Sequence, residues 1–183
     1  MGKQFERIEP ELERFIEDQK LFFVGTAPLE EDGLVNVSPK GLDTFRVLDE
    51  HTVAYADLTG SGVETVAHLK QNGRIVIMFC AFEGAPKIVR LHGSGEVIEP
   101  ANEEFAGLSQ LFDAPLGLRS VIRVRCKRYS TSCGFGVPLM EFKSERTQLP
   151  ASHDRKGQEG LERYWEEKNR TSLDGLPGIE SSS

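Results

Sequence analysis

The sequence has few cysteines, and their arrangement excludes two kinds of stabilised small protein. Its 183 residues include three cysteines, Cys80, Cys126 and Cys133, at wide spacing. An odd and dispersed set provides neither a disulfide framework nor the paired ligands of a zinc site. We therefore expect no metal site and a reducing, cytoplasmic setting. Cys80 and Cys126 lie in apolar contexts and should be buried, whereas Cys133 lies in a polar turn and should be exposed.

Positive charge and long apolar runs are also scarce. The chain carries 22 Lys and Arg against 29 Asp and Glu, which gives a formal net charge of −7. A broad nucleic-acid-binding surface needs excess positive charge, so we expect no nucleic-acid partner. No apolar run approaches the roughly 20 residues that cross a bilayer. The first residues, Met1 to Glu6, lack the apolar core of a signal peptide, so we expect no membrane partner.

The hydrophobic pattern predicts a mainly β protein. Short strands separated by turn residues at ~8–12-residue intervals are typical of a small barrel, in which closure removes exposed strand edges. Apolar runs and alternating apolar residues predict strands over residues 21–27, 34–38, 45–48, 52–56, 74–81, 87–98 and 120–130. Helical spacing predicts short flanking helices over 9–20, 62–71 and 102–112.

Three local signals refine these predictions. Pro39 cannot donate a ladder hydrogen bond, so the strand over 34–38 should end or bend there. Asn72-Gly73 should close the preceding helix with a left-handed cap. Gly93 and Gly95 lie inside one predicted strand, and glycines at such positions indicate a bulge or a sharp bend.

The composition changes after Thr131, where glycines, prolines and charges become more frequent. Only residues 160–168 have helical spacing there, and no second core is visible. We therefore divide the chain into a barrel domain over 1–135 and a C-terminal extension over 136–183. Trp165, Leu176 and Ile179 are apolar enough to favour packing of this extension on the barrel or on a dimer partner.

The segment from Val35 to His68 holds the features that indicate a ligand site. A strand that ends in Ser38 and Lys40 precedes a second strand, which leads into a small-residue loop, Thr59-Gly60-Ser61-Gly62, and then a helix. The free N–H groups and the dipole of a helix N-terminus favour an anion. The alternative is a hairpin followed by a Ser/Thr-capped helix that binds no ligand.

These residues resemble the pyridoxamine 5′-phosphate oxidase-like family of FMN-binding split barrels. The resemblance is especially to a bacterial branch with a Ser-Pro-Lys-Gly motif, here 38–41, and a Thr-Gly-Ser-Gly loop, here 59–62. Further matching segments are residues 72–79, 88–93, 132–138 and 172–178. The resemblance implies a six-stranded split barrel that forms a homodimer with flavin sites along the subunit interface.

The same resemblance implies a set of cofactor-binding residues. Lys40 corresponds to a lysine that lies beside the flavin, and Tyr55 to a position that flanks it. If Asn36 and Ser38 face away from the core, they form a polar ledge that leads to Lys40. We expect the flavin to be held by Asn36, Val37, Ser38, Lys40, Tyr55, Ala56, Ser61, Gly62, Thr65 and Arg90.

The chain departs from the related oxidases where the cofactor phosphate should bind. Those enzymes carry an Arg-Lys pair at the start of this helix, where this chain has Glu64 and Thr65. Phosphate binding would then depend on backbone N–H groups, hydroxyls and a basic residue from elsewhere. Arg90 is the candidate, because an arginine on a barrel strand can bind phosphate bidentately; routine ion pairing is the alternative. We expect His68 to cap the helix or to be solvated.

These observations favour an FMN-dependent oxidoreductase that acts on an unidentified small molecule, for which no catalytic residue is assigned. Pyridoxamine phosphate oxidation itself is not expected, because the Arg-Lys pair is missing. Two alternatives stay open. One is a non-catalytic module of the same fold that binds flavin or haem, and the other is a deazaflavin-dependent reductase.

Overall fold

The computed structural model describes residues 2–180, whose strands form one curved antiparallel sheet. The strand order is β3-β2-β6-β7-β8-β5-β4, and β1 pairs with β8. The elements are β1 Gln4–Phe5, α1 Pro10–Asp18, β2 Phe22–Thr26, β3 Asn36–Lys40, β4 Phe45–Val47, β5 Thr52–Leu58, α2 Glu64–Asn72, β6 Arg74–Cys80, β7 Ile88–Ile98, α3 Phe105–Gln110, β8 Leu118–Ser132 and α4 Gln148–Lys168. Apart from the short β1 and β4, the strands are the six of the expected split barrel.

Contacts between β2–β3 and β4–β5 close the sheet into a barrel. The Phe22 ring lies 5.0 Å from the Phe45 ring and 5.6 Å from the Tyr55 ring, centroid to centroid. The Lys40 ammonium lies 3.2 Å from the Asp57 carboxylate. Alternate residues of each strand point inward, and the completely buried ones include Val24, Ile77, Leu91 and Ile122. Burial of each such side chain stabilises the fold by about 1.5–3 kcal/mol.

Two of the glycine predictions are confirmed. Gly73 has φ 69° and donates its N–H to the Leu69 carbonyl oxygen at 2.9 Å, which is the left-handed cap of α2. The register of β7 against β8 shifts between His92 and Gly93, which is the predicted bulge. A Cβ atom at Gly93 would collide with the carbonyl oxygen of Arg125, so the bulge brings two backbones close together.

The prediction for Pro39 is wrong. Strand β3 continues through Pro39, which pairs with Phe23, and ends at Lys40. The reason is that β3 lies at the edge of the sheet, where a missing N–H group costs no ladder hydrogen bond when it faces away from β2.

The C-terminal segment packs on the barrel of its own chain. Helix α4 is longer than the predicted 160–168 and contains non-helical backbone at Gly157, with φ 61° and ψ 177°. Leu161, Trp165 and Ile179 are buried, and Ile179 belongs to the main hydrophobic core. Residues 133–147 connect β8 to α4 without a helix or strand. The domain boundary after residue 135 stays a prediction.

The cysteines have the predicted environments. Cys80 and Cys126 are buried and Cys133 is exposed, and all three are free thiols. Burial raises the pKa of the Cys126 thiol to about 12, so this group is protonated at neutral pH. Cys126 therefore acts as a small core side chain.

Candidate functional site

Strand β3 carries the polar ledge, which we define as Asn36, Ser38 and Lys40. These residues pair with Thr26, Val24 and Phe22 of β2 respectively. Directly paired residues of an antiparallel sheet share a face, and all three β2 partners are buried. The ledge therefore faces the interior at the edge of the sheet, rather than away from the core as the sequence hypothesis required. Val37 points to the opposite face, where its side chain is 64% exposed.

The ledge is hydrogen-bonded to helix α2. Asn36 Nδ2 donates to Thr26 Oγ1 at 3.1 Å and to Thr65 Oγ1 at 3.0 Å. Ser38 Oγ donates to Asn36 Oδ1 at 3.1 Å. The structure thus brings together three of the predicted site residues, Asn36, Ser38 and Thr65.

His68 extends this network and corrects a prediction. Its side chain is completely buried, so it neither caps α2 nor contacts solvent. Its Nδ1 lies 3.0 Å from Thr26 Oγ1, and its Nε2 lies 3.4 Å from Asp174 Oδ2. The sequence signal for burial was the apolar run of α2 around His68, but nothing in the sequence linked it to an aspartate 106 residues later.

A charge cluster lies at the other end of the ledge. Asp57 is completely buried and accepts hydrogen bonds from Arg119 Nε at 2.7 Å and Lys40 Nζ at 3.2 Å. Burial alone would raise the pKa of the Asp57 carboxyl, but the attraction and hydrogen bonds of Arg119 and Lys40 outweigh it and lower the pKa to about 2. Lys40 is therefore a partner of a buried anion rather than a solvated lysine.

Arg119 is the residue that sequence reasoning missed. Besides Asp57, its guanidinium donates to the carbonyl oxygens of Gly60 at 3.4 Å and Gly62 at 2.8 Å. Asn169 Nδ2 also donates to Gly60 O, at 3.0 Å. The Arg119 guanidinium thus holds the loop that precedes α2 through hydrogen bonds to two of its carbonyl oxygens. An arginine just before the strand predicted over 120–130 gave no signal for this contact.

The N-terminus of α2 contradicts the Ser/Thr-capped alternative, whereas anion binding there stays a prediction. The capping residue is Val63, which has no side-chain cap, so the helix is not Ser/Thr-capped. Ser61 is exposed, but Thr65 is buried and accepts its hydrogen bond from Asn36. A Cβ atom on Gly62 would collide with the Glu64 carboxylate, which therefore lies against the loop. A phosphate there would be repelled unless Glu64 turned away.

Arg90 does not join these residues within one chain. It pairs with Met78 and Ser130, while its neighbours Val89 and Leu91 point into the core. Its guanidinium donates to Ser132 Oγ at 3.0 Å. Within one chain, Arg90 therefore points to the face of β7 opposite the core and makes no hydrogen bond to Ser61 or Thr65 among the described residues. Its part in cofactor binding stays a prediction that depends on a second copy.

Tyr55 and Ala56 lie deeper than the ledge. Tyr55 is completely buried, and its hydroxyl has no hydrogen-bond partner among residues 2–180. Burial and the nearby Asp57 raise its pKa well above the usual value. Ala56 packs in a separate cluster with Ile98 and Phe112. Core packing therefore accounts for Ala56, whereas the unpaired Tyr55 hydroxyl lacks a structural explanation.

Three surface cavities are lined by other residues. They measure about 410, 300 and 490 Å³. The third lies between α1, β4 and the segment around Phe142, and it reaches Gly41, the residue after the ledge.

Across the part of the chain that the structure describes, no group of three or more His, Cys, Asp or Glu side chains could hold a metal ion. Among residues 2–180, no helix has the length and apolarity needed to cross a membrane.

The curved antiparallel sheet, closed between β2–β3 and β4–β5, defines a split barrel with a polar edge strand. The chain belongs to the pyridoxamine 5′-phosphate oxidase family. The family model described as Pyridoxamine 5′-phosphate oxidase matches residues 8–133, which is well over half of the chain. The placement in a bacterial Ser-Pro-Lys-Gly branch stays a prediction.

One curated relative supports the family, and two solved structures share the fold. The chain is 38% identical to the pyridoxamine 5′-phosphate oxidase family protein ustO of Aspergillus flavus, over 97% of this chain and 78% of that protein. The fold is similar to the crystal structure of HupZ from Group A Streptococcus, with a TM-score of 0.55 and 24% identity over 67% of this chain and 91% of that one. A putative pyridoxamine 5′-phosphate oxidase from Lactobacillus delbrueckii gives a TM-score of 0.50 at 16% identity, over 68% of this chain and 94% of that one.

Proposed function

We propose that the protein binds FMN along the β3 ledge and acts as an oxidoreductase on a small molecule in the cytoplasm. The observation that carries the proposal is the ledge itself, in a chain that belongs to this family. Asn36, Ser38 and Lys40 form a row of polar side chains on an edge strand, whose outer backbone groups are free to pair with a planar ring. When bound, the flavin supplies the hydride or electron transfer.

The residues fit the flavin ring better than its phosphate. Around the ring, Asn36 and Ser38 offer donors and acceptors, and Lys40 keeps two N–H groups beyond its bond to Asp57. For the phosphate, the chain offers the exposed Ser61 hydroxyl and the N–H groups at the start of α2. The Glu64 carboxylate opposes a phosphate there, so we expect FMN to bind only modestly more tightly than riboflavin.

We propose further that two copies form a homodimer through the outer face of the β2–β3 hairpin. Four apolar side chains of this hairpin are exposed in the single chain, with exposed fractions of 54–75%. They are Leu29 (62%), Leu34 (54%), Val35 (75%) and Val37 (64%). An exposed apolar patch of this kind is typical of an interface between subunits. A second copy would also be needed for Arg90 to approach a flavin.

One observation favours a second candidate, a non-catalytic flavin-binding module. Every ledge side chain already has a hydrogen-bond partner within the chain, and Lys40 shares the Asp57 carboxylate with Arg119. A ledge of this kind could orient a cofactor without supplying an acid or base. The two candidates differ in whether a nicotinamide donor reduces the bound flavin. The haem and deazaflavin alternatives are separated from both by the spectrum of the bound ligand.

Native mass spectrometry of the purified protein and a titration with FMN, riboflavin, deazaflavin and haem test the proposal. We expect saturable FMN binding, and reduction of the complex by a nicotinamide donor. FMN binding without reduction would support the module instead. If neither FMN nor riboflavin binds at a protein concentration where light scattering shows a dimer, both candidates are contradicted.

The variant Lys40→Gln tests the ledge directly. Glutamine keeps a hydrogen bond to Asp57 but removes the charge, so FMN affinity should fall about tenfold, or ~1.4 kcal/mol. Lys20→Gln, which changes an exposed lysine just before β2, is the matched control and should bind FMN like the wild type. Equal FMN dissociation constants for the two variants would remove Lys40 from the site.

A further inference from the structure

A continuous chain of hydrogen bonds connects the ledge to the C-terminal hairpin, residues 171–177. It runs from Ser38 Oγ to Asn36 Oδ1 at 3.1 Å, and from Asn36 Nδ2 to Thr26 Oγ1 at 3.1 Å. It continues from Thr26 Oγ1 to His68 Nδ1 at 3.0 Å, and from His68 Nε2 to Asp174 Oδ2 at 3.4 Å. Thus a hairpin near the end of the chain contacts the ledge through one hydroxyl and one imidazole.

With a neutral imidazole at His68, the Asp174 carboxylate fixes the direction of every bond in this series. An ionised carboxylate only accepts hydrogen bonds, so Asp174 requires a proton on His68 Nε2. In a neutral imidazole, Nδ1 then accepts, and the Thr26 hydroxyl donates to it. Thr26 Oγ1 in turn accepts from Asn36, which orients the amide with Nδ2 toward Thr26 and Oδ1 toward Ser38.

Asp174, the last residue in this series of hydrogen bonds, is held in place. Its Oδ1 accepts the backbone N–H of Leu34 at 3.1 Å, and its side chain is only 12% exposed. The tight turn that presents it is closed by a bond from Ser172 N to Leu176 O at 2.9 Å, with Gly175 at φ 77°. The hairpin is anchored by the buried Ile179. Asp174 is therefore a fixed charge rather than a mobile surface residue.

The residues in the middle of this series of hydrogen bonds are shielded from water. His68 is 0%, Thr26 4% and Thr65 5% exposed. Buried groups of this kind cannot exchange a lost partner for solvent, so a change at one end must alter the next bond. The two hydroxyls that contact Asn36 Nδ2 would both have to rotate if the amide reversed.

We infer that Asp174 is a positioning residue for the ledge. It selects the tautomer of His68 that carries the proton on Nε2, and it thereby sets the orientation of the Asn36 amide that faces the flavin site. Asp174 touches no part of the proposed flavin, and its effect is transmitted through His68 and Thr26. This inference rests on the proposed function only in that the ledge receives a flavin.

The substitution Asp174→Asn tests the inference with little change in shape. The asparagine oxygen can still accept from Leu34, which places its NH₂ group opposite His68 Nε2. That NH₂ group donates, so the imidazole must carry its proton on Nδ1 instead. Nδ1 then donates to Thr26 Oγ1, which frees the Thr26 hydroxyl to donate to the Asn36 oxygen, so the amide is no longer held with Nδ2 toward Thr26.

Nitrogen-15 NMR of the ligand-free protein reads these changes without any flavin. We expect the wild type to show His68 protonated on Nε2 alone, and Asp174→Asn to show the proton on Nδ1 with shifted Asn36 side-chain amide signals. A wild-type His68 protonated on Nδ1, or an unchanged tautomer in the variant, overturns the inference. The wild-type spectrum decides even if the variant does not fold. Asp154→Asn, at an exposed position of α4, is the control.

A flavin titration then connects the relay to the site. We expect Asp174→Asn to change FMN affinity several-fold and to shift the flavin absorption bands. In a Thr26→Val background, the same substitution should still change the His68 tautomer but no longer affect FMN. An equal effect of Asp174→Asn on FMN with and without the Thr26 hydroxyl overturns the relay. If the NMR spectra are as expected but the wild type binds no flavin, the proposed function is contradicted. The inference that Asp174 positions Asn36 then still holds.

Discussion

Asp57 is the residue on which the polar interior of the barrel depends. A completely buried carboxylate is costly unless it is paired and hydrogen-bonded. Arg119 and Lys40 provide two cations, and Ser120 Oγ adds a hydroxyl at 3.3 Å. Arg119 is almost as buried as Asp57, with a side chain only 4% exposed, whereas Lys40 is 20% exposed. Removing Arg119 should therefore lower the free energy of unfolding more than removing Lys40 does.

We expect Arg119→Met to destabilise the protein strongly. The substitution leaves the Asp57 charge buried with a single partner and frees the carbonyl oxygens of Gly60 and Gly62, so the cost should be about 3 kcal/mol. The free energy of unfolding in urea measures it. Lys40→Met is the comparison and should cost clearly less, because Lys40 is more exposed. An equal or larger loss for Lys40→Met would contradict this ranking.

The lowered pKa of Asp57 also predicts how stability depends on pH. The folded-state pKa of about 2 lies below the ordinary 3.8, so the carboxylate contributes stability that is complete above 3.8. That contribution is lost as the pH falls from 3.8 toward about 2. We expect the wild type to lose roughly 2 kcal/mol relative to Asp57→Asn over this range. Urea unfolding of both proteins across the range checks it, and a constant difference between them would contradict the assignment.

At the scale of elements, the bulge in β7 shows how a backbone approach specifies a glycine. Gly93 leaves no room for a Cβ atom beside the carbonyl oxygen of Arg125. Gly107 in α3 has no atom within 4 Å of the corresponding position. The two sites therefore test steric demand separately from the general effect of replacing glycine.

We expect opposite effects of alanine at these two glycines. Gly93→Ala should destabilise the protein by about 1–3 kcal/mol, because the strands must separate to accept the methyl group. Gly107→Ala should stabilise it by up to ~1 kcal/mol, because alanine is the better helix former. Thermal or urea unfolding of the two variants measures both signs. A neutral Gly93→Ala would show that the bulge can relax.

The elements also show where local sequence signals are sufficient. The amphipathic spacing of α1 and the apolar run of β6 predicted those elements within a few residues of their observed ends, and the strand predicted over 87–98 matches β7. The Asn72-Gly73 signal predicted the end of α2. The signals failed for α4, whose first half has no helical spacing, because its packing on the loop around Thr59 stabilises it. His153 Nε2 in this first half, for example, lies 2.9 Å from the Thr59 carbonyl oxygen.

At the scale of the whole molecule, the outer face of the β2–β3 hairpin exposes apolar side chains that a single chain leaves unexplained. We expect Val37→Glu to convert a homodimer into a monomer, because the charge would be placed within the proposed interface. Val37 is 64% exposed in the single chain, so folding itself should be unaffected. Light scattering and circular dichroism measure the two outcomes. Leu111→Glu, at the end of α3, is the control, and a Val37→Glu dimer of unchanged stability would contradict the interface.

The sequence by itself determined the barrel, the ends of most strands and the polar row on β3. These features follow from periodicity, turn residues and backbone constraints, which act over a few neighbouring residues. Only the tertiary structure decided that Lys40 binds Asp57, that Arg119 supports the loop before α2, and that His68 meets Asp174. The tertiary structure also decided that Arg90 lies on the face of β7 that points away from the core. These pairings depend on the curvature of the closed sheet and on how the C-terminal segment packs, and no local pattern in the chain encodes which distant side chains then meet.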